Sequence, residues 1–476
     1  MNATFSQTDR RDDVRAVFDA QRRFAPQMAL TTADQRLDRI RRIQAWLTTH
    51  EAAIQGALYD DLRKPAAEAT LSELLAVHAE IRHVIRYLRQ WMKPQRVPTP
   101  LSLTGTRSYV RYEPKGNVLI IAPWNYPFSL IVKPLVLALA AGNVAILKPS
   151  ELTPHTAGLV KRMITELFPP EEVAVFEGDA EVAQALLDLP FNHIFFTGSP
   201  AVGRIVMTAA AKHLASVTLE LGGKSPAIVD ETADVNDTAN KLAWGKYLNC
   251  GQTCIAPDYV LVHQSVKEPL MQALRESLTR MYSPDGRPAE ASDSYARLVN
   301  HRHFGRVRSL IEDAVDKGAT VSYGGRIDPD QNFIEPTVLE GVTDDMRVMQ
   351  DEIFGPVLPI VPYTDVEDAL RVVNGREKPL ALYIHSRNRR NTQYILDRTS
   401  AGDTVINDVL LQFGNVELPF GGVNNSGLGK SNGFFGFVEF SNQRGVMQRE
   451  FGTVKFLYPP YTEKVKKLIK FLMKYV

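Results

Sequence analysis

VLIIAPWNYPFSLIVKPLVLALAAGNVAILKPSE, residues 118–151, decides the fold of this chain. It reads as a short apolar run, Val118–Ile121, then a turn bracketed by Pro123 and Pro127, a helical segment opened by Pro127, and a second apolar run, Val144–Leu147. Short, continuously apolar runs are what strands of a parallel sheet look like when both faces are covered. Parallel strands need a crossover, and the segment between the runs is long enough to be a helix. The alternation continues outward through Val173–Phe176, His193–Phe196 and Val217–Leu221, with further helices opened by Thr153-Pro154 and Ser199-Pro200. Five strands separated by four helices predict a doubly wound parallel sheet. From Pro226 to about Val423 the pattern recurs, with strands near Tyr259–Val262, Leu380–His385 and Thr404–Asn407, which predicts a second α/β unit.

Ahead of the first sheet, the opening ninety residues read as helices. Thr32 with Gln35, and Thr70 with Glu73, have capping-box spacing, and Leu37, Ile40, Ile43 and Leu47 recur at helical period. Pro94 stops the last of these helices, Pro98 and Pro100 mark a connector, and Thr104 to Tyr112 alternates weakly enough to predict a projecting hairpin. There is no internal repeat and no low-complexity tract.

The 476 residues suit two or three domains at roughly 150 residues each. With 55 Lys and Arg against 54 Asp and Glu, the net charge of +1 argues against a nucleic-acid partner, which calls for a basic excess. A hydrophobic fraction of 44% and a charged fraction of 23% belong to a globular chain. Two cysteines, Cys250 and Cys254, can neither build a disulfide framework nor fill a four-ligand zinc site alone, and no metal is expected. Met1 to Asp13 has no apolar core of a signal peptide, and no stretch approaches the ~20 apolar residues that span a bilayer. The expectation is a soluble, cytoplasmic protein. At the other end, Val465, Leu468, Leu472 and Tyr475, extended by Ile469, Met473 and Val476, fall on one helical face, and Lys466, Lys467, Lys470 and Lys474 largely on the other. Such a basic amphipathic helix over 462–476 is expected to dock on the protein itself or on its dimer partner. The alternative is weak contact with an anionic membrane surface.

Six segments bear on chemistry. Phe195-Phe196-Thr197-Gly198-Ser199-Pro200-Ala201-Val202-Gly203 runs from strand into helix, where free N–H groups and the helix dipole would suit a phosphate; a plain strand-to-helix turn reads equally well. Gly429-Lys430-Ser431 imitates the end of a P-loop, but Asn424 stands where that motif needs glycine and no strand leads into it. In Asn249-Cys250-Gly251-Gln252-Thr253-Cys254 either cysteine could be a nucleophile on a loop or an inert buried thiol. Glu220, at an apolar strand end before Leu221-Gly222-Gly223-Lys224, is either a general base whose pKa burial raises or part of a structural ion pair with Lys224 or another cation. Asn125 and the Lys148-Pro149-Ser150-Glu151 turn follow strands of the first sheet, at the edge where open α/β sheets bind ligands. Either could equally be an ordinary turn.

Taken together these segments resemble the aldehyde dehydrogenase superfamily, most closely its class 3, fatty-aldehyde-type branch. The resemblance runs from about Ala16 to Tyr461 and rests on Pro123-Trp124-Asn125-Tyr126-Pro127, Lys148-Pro149-Ser150-Glu151, Phe196-Thr197-Gly198-Ser199, Leu219-Glu220-Leu221-Gly222-Gly223-Lys224-Ser225-Pro226, Gly251-Gln252-Thr253-Cys254, Glu352-Ile353-Phe354-Gly355-Pro356 and Leu418-Pro419-Phe420-Gly421-Gly422, in that order. It implies NAD(P)-dependent oxidation of an aldehyde to a carboxylic acid, with NAD preferred and NADP tolerated. Cys254 would be the nucleophile, Asn125 with the backbone N–H of Cys254 the oxyanion donors, and Glu220 the base that activates water against the thioester. Lys148 and Glu151 would face the adenosine ribose, Gly198, Ser199, Val202 and Gly203 the pyrophosphate side, and Trp124, Leu221, Glu352 and Phe354 the nicotinamide end. The resemblance also implies a dinucleotide-binding domain (1–95 and 113–221), a catalytic domain (222–425), a bridging oligomerisation segment (96–112 and 440–460) and a homodimer. A coenzyme A-acylating variant, or a non-enzymatic structural protein on the same fold, would be the alternatives. Intact Asn125, Glu220 and Cys254 speak against both. The chain departs from the family pattern at Gln412, at Asn424 and at Lys430-Ser431-Asn432.

Overall fold

A computed structural model describes residues 7–455 and 458–474. Its first sheet has the order Gly427–Leu428, Ser216–Glu220, His193–Thr197, Asn117–Ile121, Val144–Lys148, Val173–Val175. The five strands predicted from the apolar runs are mutually parallel. The two-residue edge strand, antiparallel to Ser216–Glu220, comes from the far end of the chain and is too short to leave a periodic signal. Every residue of Asn117–Ile121, Val144–Lys148 and His193–Thr197 is buried, which is why these strands are apolar between their end residues instead of alternating. Strand order reverses between Asn117–Ile121 and His193–Thr197, so a crevice opens outside their carboxyl ends.

The helix Ser129–Ala141 is buried along nearly its whole length and carries a buried ammonium at Lys133. It has no side-chain cap of its own. Its first amides are met from another element, where the Glu73 carboxylate accepts from the N–H groups of Phe128 (3.1 Å) and Ser129 (2.8 Å) and pairs with Lys64 at 2.7 Å. Glu73 is therefore not the closing member of a capping box with Thr70. Thr70 has helical φ/ψ inside a run continuous from Ala66 to Trp91, through a π-helical turn at Thr70–Leu74. A box requires an extended residue at the cap; here tertiary pairing of Glu73 takes precedence. The Thr32–Gln35 box forms as predicted.

The second sheet has the order Thr320–Tyr323, Thr337–Glu340, Val357–Tyr363, Tyr259–His263, Pro226–Val229, Ala381–His385, Asp403–Ile406, parallel except at its first edge. Val357–Tyr363 lies inside this sheet although Pro359 and Pro362 interrupt its reading as a strand. The segment predicted as a local hairpin is instead one strand, Thr106–Pro114, flanked by Gln95–Val97 and by Ser441–Arg449. Weak alternation cannot announce a partner that far away in sequence.

At the C-terminal end the helix Glu463–Leu472 forms, but none of its residues is buried. Val465, Leu468 and Leu472 are half-covered and the rest of the helix is exposed, so its apolar face is not buried on this chain, and a dimer partner is the docking surface that the expectation still leaves. Tyr475 and Val476 lie outside the described residues. No described helix is long and apolar enough to cross a membrane.

Candidate active site

Three consecutive residues in left-handed backbone conformation, Asn249 (φ 52°), Cys250 (φ 54°) and Gly251 (φ 73°), turn the chain at the end of the helix Val235–Tyr247. Two non-glycine residues held there cost about 1–3 kcal/mol each and need fixing from outside. Asn249 supplies much of it, donating from Nδ2 to the carbonyls of Asn125 (2.8 Å) and Gln252 (3.2 Å) and from its backbone N–H to the Glu68 carboxylate (2.8 Å). Gly251 is obligatory, since a Cβ would stand 2.2 Å from the carbonyl oxygen of Gly355. Lys64 Nζ donates to the Asn125 carbonyl at 3.1 Å, and Asn125 Nδ2 donates to the Gln252 carbonyl at 3.0 Å. The Pro123–Pro127 turn of the first sheet is thereby bolted to the cysteine turn of the second unit.

This turn separates the two thiols. Cys250 is wholly buried, its Sγ donating to the Tyr295 hydroxyl at 3.6 Å, and burial pushes its pKa to about 12. Cys254 is only partly covered and lines a cavity of about 250 Å³ together with Glu220. Burial, followed by the charges of Glu352 and Glu220, raises its pKa to about 12 as well, while the backbone N–H groups of Cys254 and Ile255 pull the other way. Glu220 shares the cavity as a carboxyl placed to act on water, and burial lifts it to about 8 against the pull of the Ser431 hydroxyl and the Lys430 charge. The alternative of a Glu220–Lys224 pair is overturned: Lys224 is taken by Asp258 and by the carbonyls of Val348 and Asp351.

Both units wall the cavity. Leu71, Leu75, Leu130, Leu137, Trp244, Leu410, Phe413 and Phe420 make it mainly apolar, and the polar groups Thr253, Cys254, Glu220, Ser431, Lys133 and Asn432 interrupt that lining. Such a space accepts an apolar body with one reactive end.

The remaining predicted residues line the crevice beyond Leu221. Leu221 itself borders the cavity, and a Cβ on Gly203 would fall 2.8 Å from it, so crevice and cavity adjoin. Ser199 caps the twelve-residue helix Pro200–Ala211 by accepting from Val202 N–H. Gly198 is constrained by packing, since a Cβ would stand 2.5 Å from the Phe196 ring, and its N–H is taken by the Glu220 carbonyl. Val202 and Ile205 leave an exposed apolar flank on this helix. Lys148 is buried, donating to the Pro149 carbonyl (3.0 Å) and to the exposed carboxylate of Glu151 (3.1 Å). Trp124 packs on His303 and edge-on to Phe354, which is itself left-handed at φ 44°. Burial and Asp258 raise Glu352 to about 8, and Glu352 lies so close to Gly222 that a Cβ there would meet its carboxylate at 2.3 Å.

Sequence reasoning missed the supports. Arg306 donates to the carbonyls of Glu352 (3.3 Å), Ile353 (2.7 Å) and Phe354 (3.2 Å), and Asp258 accepts from Ile353 N–H at 3.0 Å. Lys64, Glu68 and Glu73 hold the Asn125 side of the site. Nothing local distinguishes these buried charges from solvated ones.

The sequence model of the Aldehyde dehydrogenase family matches residues 2–446. The 4,4'-diaponeurosporen-aldehyde dehydrogenase of Staphylococcus aureus is 43% identical over 432 residues, 90% of this chain and 93% of that protein. Aldehyde dehydrogenase family 3 member A2 of Macaca fascicularis is 41% identical over 431 residues, 90% of this chain and 87% of that one. Among solved structures, the substrate-bound state of Staphylococcus aureus AldH superimposes with a TM-score of 0.91 at 41% identity, covering 96% of this chain and 99% of that chain.

Proposed function

The chain belongs to the aldehyde dehydrogenase family and is an oxidoreductase acting on aldehydes, and on that premise we propose that it oxidises an apolar aldehyde to the carboxylic acid through a thioester on Cys254. The observation that carries this reading is one partly open thiol sharing an apolar cavity with a buried carboxyl.

In the proposed sequence the Cys254 thiol gives its proton to solvent water and its sulfur bonds to the aldehyde carbon. The second N–H of Asn125 Nδ2 and the backbone N–H of Cys254 hold the resulting oxyanion; one such donor is worth about 3–4 kcal/mol. The donor set of the crevice fits a nicotinamide dinucleotide: a carboxylate beside an ammonium at Glu151 and Lys148 for a ribose diol, the Ser199-capped helix start for phosphate, and Glu352, Phe354 and Trp124 for the nicotinamide end. When bound, that cofactor supplies the acceptor for the two electrons and proton lost in forming the thioester. Glu220 then takes a proton from water, whose oxygen bonds to the acyl carbon while sulfur leaves.

The Glu151 carboxylate accepts from a diol and repels a 2′-phosphate, so NAD is the proposed cofactor with NADP tolerated. Decanal with NAD should yield NADH without coenzyme A, and kcat/KM should rise by up to about fourfold per methylene along an alkanal series. A requirement for coenzyme A would establish the acylating variant, and a kcat/KM strongly favouring NADP would overturn the cofactor assignment.

We assign residues 1–95 and 113–221 to the dinucleotide-binding domain, 222–425 to the catalytic domain, and 96–112 with 440–460 to the contact of a cytoplasmic homodimer. The mostly exposed strand Ser441–Arg449 supports the last assignment. The helix Glu463–Leu472, with Lys464, Lys466, Lys467 and Lys470 against one Glu463 and no buried residue, is proposed to lie on an anionic membrane surface. Deleting 463–476 should abolish co-sedimentation with phosphatidylglycerol vesicles and leave the oligomeric state intact. Unchanged co-sedimentation, or loss of the dimer, would assign the helix elsewhere.

A further inference from the structure

Three charged side chains converge on Gly421. Its N–H bears on the Asp403 carboxylate, its carbonyl accepts from Lys430 Nζ, and a Cβ placed on it would stand 3.1 Å from both Glu220 Oε1 and Lys430 Cδ. Lys430 Nζ also reaches the Gly422 carbonyl at 3.4 Å, so the ammonium is held against this loop and bears on both carboxylates by charge across Gly421 without a contact ion pair to either. Both oxygens of Glu220 and Oδ2 of Asp403 are buried atoms, with the Ser431 hydroxyl bearing on Glu220 and the Gly421 N–H on Asp403. Buried carboxylate oxygens are costly unless a cation serves them as well.

The other groups facing Glu220 come from separate elements. Lys133, on the helix Ser129–Ala141, is already occupied: it donates to Asn432 Oδ1 at 2.8 Å, stands 3.9 Å from Glu80 and lies over the Phe413 ring. Ser431 presents a hydroxyl and Cys254 a thiol. Glu439 accepts from the backbone N–H of Lys430. Burial raises Glu220 to about 8 and Asp403 to about 6; Lys430 opposes that rise at both, and Asp403 adds to it at Glu220.

We propose that Lys430 is a positioning residue for thioester hydrolysis: shared between Glu220 and Asp403, its ammonium holds the Glu220 carboxylate charged inside an apolar cavity, and Asp403 limits how much of that support Glu220 receives. The inference rests on Glu220 being the base proposed above. Its signature is a pair of opposite shifts. Removing Lys430 leaves Glu220 protonated to higher pH, whereas neutralising Asp403 lets it ionise at lower pH. A residue that merely braced the loop would lower the rate at every pH and move no midpoint.

The test is stopped-flow NADH formation by the full-length enzyme with NAD and decanal, at pH values from about 6 to about 10. The fast phase reports thioester formation and the steady phase reports hydrolysis. In Lys430→Met the acid limb of the steady phase should move up by about one pH unit, and in Asp403→Asn it should move down, with Lys430→Arg close to wild type. If Lys430→Met does not accumulate as folded protein, Asp403→Asn and Lys430→Arg read the same midpoint. Unmoved midpoints, or shifts of the same sign in Lys430→Met and Asp403→Asn, would overturn the proposal. Glu220→Gln run in parallel separates the two layers. If it hydrolyses like wild type, the base assignment itself fails. If it is slow while Lys430→Met and Asp403→Asn superimpose on wild type, only the role of Lys430 falls.

Discussion

Cys254→Ala is expected to abolish aldehyde oxidation, with kcat falling by at least about 10⁴-fold, while Cys250→Ala keeps most of the activity. The two thiols sit four residues apart, and both have pKa values raised to about 12 by burial, so acidity does not distinguish them. Access does. Cys250 points into the core of the second unit against Tyr295, whereas Cys254 opens on the cavity that both units line. Alanine at 250 leaves a small void and frees the Tyr295 hydroxyl, which still donates to the Ile334 carbonyl at 2.9 Å. A cost on the order of 1 kcal/mol in stability is expected there, and little in rate. Steady-state NADH production and thermal unfolding of both variants check this. Equal loss of turnover from the two substitutions would refute the assignment of the nucleophile.

Glu220→Gln should separate the two halves of the reaction. The variant is expected to give a rapid burst of NADH approaching one equivalent per site, followed by turnover slowed by about 10²- to 10⁴-fold, the usual worth of a general base. Glutamine keeps the shape of the side chain and removes the charge, so the apolar cavity should tolerate it well; burial already disfavours the carboxylate at this position. The burst arises because attack by sulfur and oxidation precede the step that needs a base for water. Hydroxylamine, a nucleophile that does not depend on Glu220, should release the trapped acyl group and restore turnover. A normal steady state in Glu220→Gln would show that another group activates the water, and Glu352, the second buried carboxyl facing the thiol, would be the next to test.

Much of this was legible in residue order alone. Runs such as Val118–Ile121 and Val144–Leu147 are uniformly apolar because both faces of each strand are covered, and that local fact is enough to announce a parallel sheet. Cys254, Glu220 and Asn125 stand in motifs whose wording identifies them, as do Lys148, Glu151 and Glu352. The shared property is that backbone constraint and side-chain identity are written within a few adjacent residues. Hydrophobic periodicity and local turn chemistry therefore determined the α/β class and the helical N-terminal region, while the candidate site residues came from the resemblance of their motifs to the aldehyde dehydrogenase family.

Long-range pairing decided the rest. Glu73 has the spacing of a capping residue, yet its carboxylate serves the start of a helix more than fifty residues later. Lys224 stands four residues from Glu220 in the sequence, yet pairs with Asp258, while Lys430, far along the chain, comes to Gly421 together with Glu220. Thr106–Pro114 takes its long partner from Ser441–Arg449. Cys250 and Cys254 read alike until three left-handed residues send one thiol into the core and the other into the cavity. In each case the outcome depends on which charges and hydrogen-bond donors are brought together after burial, when an unpaired group is expensive and must take whatever partner the packed chain supplies. That choice is made by the tertiary structure, because the cost that enforces it does not exist until water has been excluded.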